Sequence, residues 1–466
     1  MQIPILNGIY TDGVADFRVS YPINLVPVPK EHGISKGYLR PAEGTVVNGT
    51  GPGISRGGIN WNGACYRVMG PNLVSVAEGG SVTILGAVGG SGRVIFDYSF
   101  DRLAIASGGN LFYWDGTTLT QVTDTDLGNV VDFCWVAGYF MTTDGTSLVV
   151  TELNDPLSVN PLKYGSSESD PDPVNSVIEL RNEVYVVNRY TIEVFSNVGG
   201  EFFPFQRIEG AQINKGSVGT HASCVFMDAI AFLGSGKKET PGVYLGINAT
   251  SAKISTQEID TLLQAYTEER LSEVVLEDRS SKSHQHLWIC LQDRTLVYDA
   301  AASQVLGEPV WFTLTSSVDG FSAYRAKDLV WCYNKWLIGD SESFSVGYLD
   351  DSTSHHFGDV VRWEFGTLIV YNVGLGAIVH DLELVCLPGR VALGADPRIS
   401  TAYSNDGETW SQEKFIRSGR QGERNRRLLW VQQGAMRNWR IQRFRGDSNA
   451  FLSIARLEAR IEGLNV

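Results

Sequence analysis

Basic residues are in short supply: 38 lysines and arginines stand against 52 aspartates and glutamates, a formal net charge of -14. A chain of that sign is repelled by a phosphate backbone unless its cations are gathered in one place, which excludes a general nucleic-acid binder. Cysteine is sparse as well. The six, at 65, 134, 224, 290, 332 and 386, form no C-x-x-C and sit among apolar neighbours, so zinc knuckles and redox pairs are excluded and buried free thiols are expected. The most apolar stretch, Val130 to Met141, contains Asp132 and is about half the length of a membrane-spanning helix. Met1-Gln2-Ile3-Pro4-Ile5 lacks the cationic and apolar regions of a secretion signal, so synthesis in the cytoplasm without membrane insertion is expected.

Catalytic signatures are missing too. There is no G-x-x-x-x-G-K-[ST] phosphate loop, no G-x-S-x-G nucleophile elbow and no identifiable pair of carboxylates, so the chain is read as no enzyme and as holding no cofactor. Ser404-Asn405-Asp406-Gly407-Glu408-Thr409-Trp410 is similar to the Asp-box of sialidase-type propellers, one residue short, and reads as a structural turn. His284-Gln285-His286 and His355-His356 put imidazoles near each other, since alternate strand residues share a face. Without a third ligand at a persuasive spacing, no metal is assigned and these are read as solvated loop histidines.

What is abundant is glycine, 50 of 466 residues, with 11% aromatics and few helix-forming runs, which favours many short strands and tight turns. Short apolar runs recur around residues 66, 104, 139, 185, 231, 288 and 337. Leu103 to Val122 shows their grammar: Gly108-Gly109-Asn110 and Asp115-Gly116 supply residues that tolerate φ > 0, so the segment reads as a three-stranded meander. Steps of about 40 to 50 residues with three or four strands each are the mark of propeller blades. The expected fold is therefore all-β: a β-propeller of six or seven blades over 51–354, with an inserted helical segment at 256–279 and a C-terminal β-sandwich over 355–466. Unrelated meanders in stacked sandwiches are the alternative. In the insertion Ile259, Leu262, Leu263 and Tyr266 stand at helical spacing, as a strut on the propeller or a contact for a neighbour. Residues 1–50 read as an extended arm for assembly, whose removal should leave a folded chain that fails to assemble.

The cations are concentrated at the far end. From Arg417 to Arg460 eleven arginines face three acidic residues, and no lysine is among them. Arginine is favoured at bidentate protein interfaces, so Arg417, Arg420, Arg424, Arg426, Arg427, Arg437, Arg440, Arg443 and Arg445 are candidate assembly contacts. A solvated arginine-rich strand face and direct DNA contact are the other readings.

Several ordered strings together resemble the packaged-DNA stabilization proteins of short-tailed bacteriophages, the tail hub or nozzle. They are Gly37-Tyr38-Leu39-Arg40-Pro41, Ile54-Ser55-Arg56-Gly57, Tyr66-Arg67-Val68-Met69-Gly70 and Gly90-Ser91-Gly92-Arg93-Val94. Further on stand Ile259 to Glu269, Leu296-Val297-Tyr298-Asp299-Ala300 and Pro309-Val310-Trp311. The resemblance runs over nearly the whole chain, although 120–250 shows no family string. It implies a virion protein, a homohexameric ring below the portal adaptor that continues the DNA channel. A needle or plug, a tailspike or fibre, and the packaged duplex, passed without sequence-specific binding, are its implied partners. A carbohydrate-binding or glycan-cleaving propeller of a phage tail is the alternative.

Overall fold

The computed structural model describes residues 1–6, 8–10, 19–30, 36–153 and 155–464. Seven antiparallel sheets succeed one another along the chain, which fixes the blade number at seven. Blade 1 spans residues 55–87, blade 2 95–121, blade 3 132–166, blade 4 174–207, blade 5 216–253, blade 6 275–314 and blade 7 326–350. Their innermost strands lie side by side in order, and that of blade 7 (Ala326–Cys332) meets that of blade 1 (Ser55–Trp61), closing the ring. Closure removes the open sheet edges that would otherwise template aggregation.

Stacking explains why these strands are apolar throughout instead of alternating. Side chains alternate faces along a strand, and a blade is covered on both faces. In Leu103–Ser107 the residues Leu103 and Ile105 enter a core shared with blade 1, whereas Ala104 and Ala106 enter one shared with blade 3. Between this strand and Asn110–Trp114, Gly108 and Gly109 take φ of 57° and 80° and Ser107 pairs with Asn110. That is the two-residue hairpin turn the sequence calls for.

The helical insertion is shorter than expected. It consists of α1 (Gln257–Gln264) and α2 (Glu268–Ser272), and from Val275 the chain is already the inner strand of blade 6. Ile259, Leu263 and Leu271 are buried in the core between blades 5 and 6, so the helices are a strut of their own propeller.

The described parts of residues 1–50 pack along surfaces of their own chain. Gly44–Thr50 is the outermost strand of blade 7, paired with Ser345–Asp350, because blade 7 has only three strands of its own. Leu25–Pro29, Gly37–Pro41 and Gln2–Ile3 extend the sandwich sheet built on Ala377–Leu387 and Ser453–Gly463. The predicted arm's stretches 11–18 and 31–35 lie outside the described residues. The second sandwich sheet holds Arg362–Gly366, Trp439–Asp447, Arg398–Ser404 and Lys414–Arg417. Between the sheets, Ile3, Ile5, Leu25 and Leu39 pack with Trp363, Phe365, Leu384, Trp430 and Phe444. The joint to the propeller is held by Asn24, whose side-chain amide donates to the carbonyls of Thr315 and Arg362.

Candidate functional site

The inner strands of the propeller carry a set of buried ionisable groups. Asp97 of blade 2 accepts the backbone N–H of Trp135 in blade 3, and Asp132 of blade 3 accepts that of Val177 in blade 4. Glu277 of blade 6 accepts that of Asp328 in blade 7, and Asp328 accepts the Ser55 hydroxyl of blade 1. Acidic side chains thus stitch one innermost strand to the next. Arg93, ahead of the first strand of blade 2, reaches across to Asp328 Oδ1 and Glu277 Oε1, both at 2.6 Å. Burial works against the Asp328 charge, yet Arg93, Lys327 and Arg67 hold its carboxyl below the ordinary range. Arg93→Met would leave two buried carboxylates without this cation, and we expect a loss of about 3–5 kcal/mol in denaturant unfolding.

A pocket of about 400 Å³ beside this bridge is lined by Arg93, Asp97, Asp132, Glu179 and His221 among others. Burial pushes Asp132 up to about 8 and Asp97 up to about 6, and burial with Arg93 pushes His221 down to about 3. An aspartate raised in the folded state binds its proton more tightly there than in the unfolded chain, so stability falls as pH rises from about 4 to each folded value. Asp132→Asn removes the charge and keeps an acceptor for the Val177 N–H, at the loss of the bond that Oδ1 accepts from the Phe133 N–H. We expect it to flatten thermal stability between about pH 4 and 8 and to stabilise at the upper end by a few kcal/mol.

The arginines divide into two groups. Arg440 is buried, stacked 3.9 Å over the Tyr403 ring and donating to the Gln433 carbonyl and the Gln442 side chain. Arg443 lies 4.0 Å over Trp410, and Arg445 pairs with Glu364 at 2.5 Å and Glu413 at 3.3 Å. These three make contacts within the sandwich, Arg440 buried and Arg443 and Arg445 half-buried. Their strand, Trp439–Asp447, is central in its sheet, a position set by tertiary pairing.

Arg417, Arg420, Arg424, Arg426, Arg427 and Arg437 are exposed. The first five lie on or beside one loop between Lys414–Arg417 and Leu428–Val431, packed on the 388–397 loop through Ser418 N to Pro397 O and Gly422 N to Gly389 O. Arg417 and Arg420 share Asp396, and Arg427 is bidentate to Glu383 at 2.7 and 2.6 Å. Exposed Leu387, Leu393 and Phe415 lie on the same loops and strand ends. Guanidinium groups beside exposed apolar side chains are the composition of protein interfaces.

His284, His286 and His356 are not solvated, and His355 is half-buried. His284 and His286 are buried in a blade 6 strand, and the hairpin register sets His286 opposite Asp299. His356 is buried with Nδ1 at 2.8 Å from Ser316 Oγ, and His355 Nε2 stands 3.3 Å from Asn449 Oδ1. Asp299 was not singled out by spacing. A hairpin that pairs Cys290 with Thr295 places it beside His286, so the turn at Gln292-Asp293-Arg294 was the signal. Asp406 accepts the N–H groups of Glu408 and Thr409 around Gly407, a structural turn. All six cysteines are free thiols, three of them fully buried.

Residues 1–354 match the family model described as Bacteriophage P22 Gp10, beta-propeller, and 362–462 the one described as Bacteriophage P22 Gp10, beta-sandwich. The tail hub protein gp10 of Salmonella phage P22 is 30% identical over 461 residues, covering 94% of each chain. The chain belongs to the phage P22 Gp10 family. As a Gp10-family member it is a structural protein of the phage tail hub, not an enzyme, and its place is the virion tail. Among solved structures, the Pan2 WD40 domain of Neurospora crassa is similar over 66% of this chain and 95% of its own, at 7% identity and a TM-score of 0.42. The Nup159 N-terminal domain is similar over 70% and 98%, at 8% identity and a TM-score of 0.42. Among the described residues of this Gp10-family chain, no helix is long and apolar enough to cross a membrane.

Proposed function

We propose that six copies of this chain form a ring below the portal adaptor that continues the DNA channel, retains the packaged genome and releases it at infection. A needle or plug closes the distal end, and a tailspike or fibre attaches nearby. Beyond family membership, the Arg93 bridge to Glu277 and Asp328 supports this reading: with a side chain spanning the inner strands of the propeller, DNA passes between copies and not through one. The net charge of -14 favours such a passage, since an acidic wall lets a polyanion slide without adsorbing. Exposed Arg417, Arg420, Arg424, Arg426, Arg427 and Arg437 then make contacts to a neighbouring copy or the adaptor. Electron-microscopy class averages of the protein mixed with its adaptor test the ring. A sixfold collar is expected, and a mixture that stays monomeric or closes with another symmetry overturns the proposal.

A further inference from the structure

The blade 6 hairpin carries a cluster that the tail-hub role does not use. His284 and His286 alternate along His284–Cys290 and so share a face, and the register sets Asp299 directly opposite His286. One ring nitrogen from each histidine and a carboxylate oxygen of Asp299 lie within 4.8 Å of one another, and all three residues are buried. His284 Nδ1 is 2.5 Å from Asp299 Oδ2, and His286 Nε2 is 3.4 Å from the same oxygen.

The second observation is His286 itself. Only 2% exposed, it has neither ring nitrogen in a well-formed hydrogen bond, its nearest acceptor being Asp299 Oδ2 at 3.4 Å from Nε2. A buried polar group without a partner is costly, and native structures seldom leave one so. The other charged groups nearby are taken: Arg279 is paired with Glu43, and Asp299 Oδ1 caps α3 (Ala300–Leu306) through the Ala302 N–H. Asp299 Oδ2 faces both histidines and is hydrogen-bonded with His284 Nδ1. A cavity of about 10 Å³ lined in part by His286 has room for about one water.

We infer that His284, His286 and Asp299 form a binding site for a divalent transition-metal ion, zinc above all, that clips the two central strands of blade 6 together. Two imidazoles and one carboxylate are a zinc donor set, with a water as fourth ligand, and the single negative charge suits a dication. Tetrahedral coordination at ordinary Zn–N and Zn–O lengths separates donor atoms by about 3.3 Å. The 3.4 Å edge between His286 and Asp299 already fits, and the His284 edge opens by less than about 1 Å as its Nδ1 proton leaves. Asp299 capping α3 is the kind of outer contact that holds a ligand carboxylate in place.

The test uses the full chain, stripped with chelator, reloaded with Zn²⁺ or Co²⁺ and desalted. About one ion per chain should be retained by elemental analysis, the Co²⁺ form should show the intense visible bands of a four-coordinate site, and the melting temperature should rise by several degrees. Asp299→Asn, which keeps a capping acceptor, and His286→Gln should lose the ion, whereas His380→Gln at the exposed His380–Glu462 pair should keep it. If a variant fails to fold, the wild-type cobalt spectrum decides. No stoichiometric ion in the wild-type chain, or an ion kept equally by Asp299→Asn and His286→Gln, overturns the site and leaves His286 to buried water.

Discussion

A chain that begins at residue 51 is expected to aggregate or melt without cooperativity, and not to give a stable monomer that merely fails to assemble. Deletion takes the outermost strand from blade 7, which exposes the edge formed by Ser345–Asp350. It also takes Ile3, Ile5, Leu25 and Leu39 out of the sandwich core. At about 1.5–3 kcal/mol per buried large apolar side chain these four alone contribute roughly 6–12 kcal/mol, against a typical domain stability of about 5–15 kcal/mol. Scanning calorimetry and size exclusion of the shortened chain provide the check. A soluble species with the full-length melting temperature would mean that Gly44–Thr50 and the first sandwich strands are dispensable.

Reversing the charge of the exposed arginines, with Arg417, Arg420, Arg424, Arg426 and Arg427 all changed to Glu, is expected to abolish incorporation into tails while leaving the melting temperature nearly unchanged. The only described ion pairs these changes break lie at the surface, with Asp396, Glu383 and Glu423, and such pairs are worth about 0–1 kcal/mol each. At an interface the same substitutions set like charges against an acidic partner, which costs several kcal/mol. Arg440→Ala is the counterpart. It empties a stacked, hydrogen-bonded position inside the sandwich and should lower stability by about 2–4 kcal/mol, with assembly intact below the new melting temperature. Unimpaired tail assembly by the five-fold reversal would dismiss this end of the sandwich as a contact. Loss of assembly that returns with DNA-free components at low salt would point instead to phosphate contact.

The two sets of arginines are adjacent in sequence and chemically identical, which is why they were read as one group. An arginine in a strand is exposed or buried according to whether its strand lies at the end or centre of a sheet and what lies opposite. Tyr403 and Trp410, which stack on Arg440 and Arg443, come from other segments of the sandwich. The histidines misled in the same way: polar residues near a turn suggest solvent, but the interface between blades 6 and 7 covers them.

Residue order by itself determined the strand-and-turn grammar, the propeller followed by a sandwich, and the buried thiols. Those features rest on contacts within a few residues: φ > 0 at Gly108 and Gly109, and apolar runs long enough for a blade covered on both faces. Only the tertiary structure decided that there are seven blades, that Gly44–Thr50 closes the last one, that Arg93 bridges Glu277 and Asp328, and which arginines are left outside. Backbone hydrogen bonds are alike for every strand, so local sequence does not name a distant partner. That choice falls to the packing that leaves the fewest edges and charges unpaired.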